Sequence, residues 1–148
     1  MSDTSQKSDL VAVAVEYFRR SDAGRADIVD LFTDDVQIYF PKFGVGQGKA
    51  AYFDLAKGLL SVLASLAHDI DDFRCVASGN TVVIEGTTYG AAKDGAQWAG
   101  GKTSGGRFCS VFEFRDGLIS RMHIYLDPDY LGANTAGFLW SDDKSRRW

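Results

Sequence analysis

Apolar positions recur at helical spacing from Leu10 onward. Leu10, Val13, Ala14, Tyr17 and Phe18 fall on one stripe, Ser8 stands ahead of them as an N-cap, and Ala23-Gly24 closes the run. Ile28, Val29, Leu31 and Phe32 repeat the pattern briefly within 26–32. Val36 to Phe40 then alternates as a strand and stops at Pro41. The Gly-rich stretch GVGQG (44–48) reads as a loop at a pocket mouth, leading into a long amphipathic helix over about 49–67. Beyond it the texture changes. Segments 69–77, 81–90, 106–115 and 118–127 are rich in Val, Ile, Phe, Thr and Tyr and read as strands. Ser78-Gly79-Asn80, a long loop over 91–105 and Asp116-Gly117 separate them, and Asp-Gly between alternating runs is the strongest hairpin signal in the chain. Helices first and strands afterwards predict an α+β fold, with a curved antiparallel sheet of four or more strands wrapped around the helices and an apolar pocket between them. No internal repeat or domain boundary interrupts the 148 residues, so one domain is expected, with its core over about 9–132 and a tail over 133–148 in which Phe138, Leu139, Trp140 and Trp148 offer packing surface.

Composition narrows the partners. A net charge of −4 with a hydrophobic content of 45% is that of an ordinary globular domain. It argues against nucleic acid, because phosphate contacts need clustered Lys and Arg, and the only basic cluster is Lys144, Arg146 and Arg147 in the tail. No apolar run approaches a membrane span, and the polar start MSDTSQKSD does not read as a secretory signal. Cys75 and Cys109 lie in strand-like segments without a partnered base and read as reduced thiols, so a cytoplasmic setting is expected.

The densest chemistry lies in SRMHIYLDPDYLG (120–132), where His123, Tyr125 and Asp127 alternate with Met122, Ile124 and Leu126. Strand parity puts the two sets on opposite faces, and a bulge would exchange them. HDIDD (68–72) gathers a histidine and three carboxylates, but alternation splits them between faces and no second ligand cluster exists, so no metal is expected. GVGQG matches neither the dinucleotide fingerprint nor the Walker pattern, and Lys49 is followed by Ala50 rather than by a hydroxyl. No cofactor is expected. Trp98, in the long loop, either caps a ligand or covers the core. Arg107 either holds an anion at the pocket mouth or is a surface residue, and Glu85 faces outward within reach of Arg121 or His123.

The order of elements resembles the nuclear transport factor 2-like superfamily, in particular its SnoaL-like branch. The matching pieces are VEYFRRSDAGRADIVDLFTDDVQIYFP (15–41), the glycines ahead of the third helix (44–50) and FCSVFEFRDGLISRMHIYLD (108–127). The resemblance implies a cone-shaped α+β barrel with three N-terminal helices in the concave face of the sheet. It also implies dimerisation through the outer sheet face and a site drawn from the isomerase, cyclase, dehydratase and hydrolase members. Those sites transfer residue by residue. Glu16-Tyr17 is similar to the RY of ketosteroid isomerase, which implies a pocket hydrogen-bond donor at Tyr17; read by itself, Tyr17 is either that or a core tyrosine with its hydroxyl satisfied. The isomerase's base falls on Phe40, and its protonated aspartate falls near Ser110. The acid that polyketide cyclases and limonene-epoxide hydrolase carry seven residues after the hairpin glycine falls on Ile124, and the hydrolase's Arg and Asp fall near Gly86 and Thr88.

With Ile124 facing the pocket, the expected lining is Phe40, Trp98, Phe108, Phe112, Met122, Ile124 and Leu126, and the polar row faces outward. His68, Tyr17 and Ser110 are the expected catalytic set, with His68 as the proton carrier. Two function classes stay open: a pocket that binds a small hydrophobic molecule without the usual acids, and a cofactor-free isomerase, dehydratase, cyclase or hydrolase acting on a small carbonyl or cyclic substrate.

Overall fold

Leu10, Ala14, Tyr17 and Phe18 form the buried stripe of the first helix, α1 (Asp3–Asp22). In the computed structural model, which describes residues 3–138, 140, 147 and 148, a 3-10 turn (Ala26–Leu31) follows. Next come β1 (Phe32–Phe40), β2 (Gly44–Gln47), α2 (Ala50–Val62) and β3 (Leu63–His68). A second short 3-10 turn (Ile70–Asp72) leads to β4 (Arg74–Ser78), β5 (Thr81–Ala92), β6 (Gln97–Ala99), β7 (Arg107–Arg115) and β8 (Leu118–Leu126). The fold is α+β. The three helical segments that precede β3 pack against a curved, unclosed sheet of eight strands in the order β2-β1-β8-β7-β5-β3, with β4 and β6 also paired to β5. Among the described residues no helix is long and apolar enough to cross a membrane.

The sheet is mixed rather than wholly antiparallel. β1 lies parallel to β8, pairing Ile38 with Met122 and Tyr39 with His123. A parallel neighbour is possible because the intervening helix and strands form a long crossover between β1 and β8. β1 begins at Phe32, because Phe32 pairs with Ile119 before the register shifts towards Gln37.

Two further expectations change. GVGQG is not a loop: β2 pairs antiparallel with β1, Phe40 opposite Gly44, and the Gly48 N–H donates to Val36 O at 2.7 Å. The long helix stops at Val62, and Leu63 turns into extended backbone (φ −108, ψ 138) to start β3. The cause lies in β5, whose far half would otherwise carry unpaired N–H and C=O groups; residues 63–68 satisfy them. The same half of β5 takes up β6 on its other edge, so the expected long loop contains a strand anchored by Trp98.

Asp116 and Gly117 both have positive φ (53° and 79°), as a two-residue hairpin turn with the sheet's own twist requires. One bulge does interrupt this hairpin. Arg121 sits opposite Glu113 and Ile119 opposite Phe114, leaving Ser120 over. It precedes Met122, so Ile119, Met122, Ile124 and Leu126 all point inward and the row from His123 keeps the outer face. In the tail, Phe138 and Trp140 are exposed, while the Trp148 carbonyl accepts from Arg107. The expectations for Leu139, Lys144 and Arg146 lie outside the described residues.

Candidate functional site

Between α1, α2 and the concave side of the sheet lies a cavity of about 520 Å³. Phe18 from α1, Phe40 from β1, Leu55 and Leu59 from α2, and Phe108, Ile124 and Leu126 from β7 and β8 make most of its wall apolar. The size and character suit a small organic ligand. His68 and Ser110 reach it from the sheet and Tyr17 from α1, so all three expected catalytic residues line one space.

Three expected lining residues lie elsewhere. Phe112 and Met122 are fully buried and absent from the wall; Phe112 packs edge-on to Tyr17 at 5.8 Å and to Phe18 at 5.9 Å, filling the core. Trp98 sits one layer behind the wall. Its indole N–H donates to Thr88 Oγ1 at 3.0 Å and its ring packs on Tyr130 at 4.9 Å, so it supports two residues that do line the cavity. Its indole N–H needed a partner once buried, and Thr88 supplies it.

The central polar feature pairs His68 with a residue that the sequence reading passed over. Asp22, the last residue of α1, accepts from His68 Nδ1 through Oδ1 at 2.6 Å and from the His68 backbone N–H through Oδ2 at 2.9 Å. A carboxylate only accepts, so Nδ1 donates, and in the neutral form of the ring the lone pair falls on Nε2. Phe18 and Phe108 pack edge-on against the imidazole at 4.8 and 5.2 Å and hold its plane. Both side chains of the pair are largely enclosed, at 10% and 18% exposure. Asp22 stands where the helix dipole disfavours a negative charge. That placement, in RRSDAG just ahead of the helix-ending glycine, was the one sequence signal for it.

Tyr17 is buried, and this burial pushes its hydroxyl well above the usual range, helped by Tyr52, Tyr130 and Asp22 nearby. It therefore stays a neutral phenol, able to donate to an oxygen. Tyr52 is raised by burial too, against a hydrogen bond with Ser21, and burial likewise raises Tyr130. Thr88, Tyr52 and Tyr130 add to the polar lining, with Ser21, Arg25 and Ser65, and no motif in the sequence announced them.

Ser110 differs from these. It is fully buried, and its Oγ is the buried side-chain polar atom without a hydrogen-bond partner among the described residues. Leaving such a group unpaired costs about 1–3 kcal/mol.

The remaining candidates resolve outside the cavity. Asp69 accepts from Thr87 Oγ1 at 2.6 Å while His68 turns to Asp22, and among the described residues no three His, Cys, Asp or Glu side chains converge on a common point. Lys49 pairs with Asp34 at 3.1 Å. Glu85 pairs with Arg74 at 3.6 Å, not with Arg121 or His123, because β4 brings Arg74 directly opposite it. Arg107 reaches the Trp148 carbonyl rather than the cavity. Burial pushes the Cys75 and Cys109 thiols up, away from thiolate character.

Comparison with known proteins agrees with this architecture. The family described as SnoaL-like domain matches residues 14–122. No curated protein matches the chain. Among solved structures, one of a putative polyketide cyclase from Xanthomonas campestris pv. campestris is similar at a TM-score of 0.69 and 17% identity, covering 82% of this chain and 92% of that one. TerC, co-crystallised with polyporic acid, matches at 0.69 and 18% identity over 80% and 92% of the two chains. An NTF2-like protein from Anabaena variabilis matches at 0.68 and 20% identity over 83% and 92%. At these identities the likeness is one of fold.

Proposed function

Because the chain belongs to the SnoaL-like domain family, whose fold hosts several chemistries, we propose from the site itself that it is a cofactor-free acid–base enzyme. It moves a proton at the carbon next to a carbonyl in a small, hydrophobic, cyclic substrate. The observation that carries this reading is the 2.6 Å contact between His68 and Asp22 in the wall of an apolar cavity. In the step proposed, the Tyr17 hydroxyl donates to the substrate carbonyl and His68 Nε2 removes the adjacent proton. The C–H electron pair becomes the enolate, and Asp22 stabilises the imidazolium. Return of that proton to another carbon gives isomerisation, loss of a β-hydroxyl gives dehydration, and attack on a second carbonyl gives cyclisation. Positioned acid–base groups of this kind contribute about 10²–10⁴-fold in rate.

Exchange of the acidic protons of 2-tetralone into D₂O, followed by proton NMR, tests the step. The wild-type chain should accelerate exchange, and His68→Gln and Asp22→Asn should each lower that acceleration by about 10²-fold or more. Unchanged exchange in His68→Gln would sink the reading. A second reading, binding without turnover, is favoured by Phe40 and Ile124 standing where related enzymes keep acids. It predicts a ligand-dependent rise in melting temperature with no exchange above buffer.

A further inference from the structure

Ser110 takes no part in the proton transfer above, yet its hydroxyl is enclosed in the cavity wall without a partner among the described residues. Its position is set by the sheet register. Ser110 lies opposite Ile84 on β5 and Ile124 on β8, whereas His68 lies opposite Thr88 on β5. Ile84 and Thr88 are four residues apart along one strand, which places the two rows roughly 13 Å apart. Phe108 and Leu126, paired with each other, form the lining row between them. Along the sheet, the cavity thus runs from His68 and Asp22 past Phe108 and Leu126 to the Ser110 hydroxyl. Phe40 and Ile124 line it there, and no charged side chain of the wall belongs to the Ser110 row.

We propose that Ser110 binds a second oxygen of the substrate, on the ring remote from the carbon that loses its proton. The substrate class is then an oxygenated bicyclic or larger cyclic ketone. The distal group is neutral, a hydroxyl or a carbonyl, because a carboxylate would lose its hydration beside Phe40 and Ile124, and the arginine of the wall, Arg25, is already paired with Asp27 and Glu16. A serine hydroxyl donates and accepts, so it serves either group. Ser110 is a positioning and specificity residue, not a catalytic one. The inference rests on the proposed function for the reacting end and adds the orientation of the substrate along the cavity.

Dissociation constants for 2-tetralone and its 6-hydroxy derivative, measured by titration calorimetry on wild type and Ser110→Ala, form the test. Wild type should bind the hydroxylated probe about 5- to 10-fold more tightly than the plain one, the size of one net hydrogen bond. Ser110→Ala should lose that ratio and keep its affinity for 2-tetralone. Its unliganded melting temperature should equal or exceed the wild-type value, since an unpaired hydroxyl has been removed; a merely structural serine would lower it. The ratio should persist in His68→Gln, where the exchange is expected to slow. Silent exchange in wild type with the ratio intact therefore removes the proposed reaction and not this inference. An unchanged ratio in Ser110→Ala, or no measurable binding of either probe to wild type, overturns the role of Ser110.

Discussion

His123 accepts from Arg121 through Nδ1 at 2.9 Å, and its Nε2 lies 2.8 Å from Gln37 Oε1. With Nδ1 accepting, Nε2 carries the proton and the ring is neutral. Desolvation, then the Arg121 charge, lowers its pKa from the usual 6.5, against a smaller pull from Glu113 on β7. Tyr125 on its own strand and Gln37 and Tyr39 on β1 complete its surroundings. A histidine with a lowered folded-state pKa binds its proton less readily folded than unfolded. Its stabilising contribution is therefore whole above pH 6.5 and is lost as the pH falls through the lower folded value. Urea melts should show wild type losing stability between pH 7 and 5, with a shallower loss in His123→Gln; equal slopes would count against it. His68, the other histidine, is fixed instead by Asp22 and leaves one nitrogen to the cavity. Residue type alone did not separate these roles; the neighbours did.

At the scale of elements, β3 decides whether His68 reaches the site at all. Helical periodicity over 49–67 holds only as far as Val62, because the open half of β5 makes a strand the better use of Leu63–His68. The pairing is close at Gly90. A Cβ there would meet Ser65 O at 2.2 Å and the Trp98 ring at 2.7 Å. Gly90→Ala should therefore prise β3 from β5 and cost roughly 1–3 kcal/mol in chemical denaturation, as overpacking does. It should also weaken proton exchange, since His68 is three residues along the same strand. An exchange rate matching wild type would show that β3 does not position the imidazole.

Over the whole molecule, the curved sheet and the helices leave a cavity where a packed core would otherwise continue. Occupying it should stabilise the fold. At a ligand concentration 100 times its dissociation constant, binding to the folded state alone adds about 2.7 kcal/mol. A bound tetralone should raise the melting temperature accordingly, and Ile124→Trp, which fills the cavity from its floor, should abolish that rise while keeping the fold. The same curvature explains which lining expectations fail. Strand parity places Phe108, Phe112 and Ile124 on one face, but only part of a curved face borders the cavity; Phe112 meets Tyr17 and Phe18 of α1, and Met122, paired with it, is buried beside it.

Sequence pattern alone carried the α+β class, the Asp116-Gly117 hairpin, and the division of β8 into two faces, though not which of them points inward, because side-chain periodicity and turn geometry are local properties. It also placed Tyr17, His68 and Ser110 as candidates, partly through resemblance. The parallel pairing of β1 with β8, the strand identity of Gly44–Gln47 and Leu63–His68, and the meeting of Asp22 with His68 across 46 positions were decided by tertiary structure. Each depends on which backbone edge or side chain a distant segment leaves unpaired, and that is not a property of the segment itself.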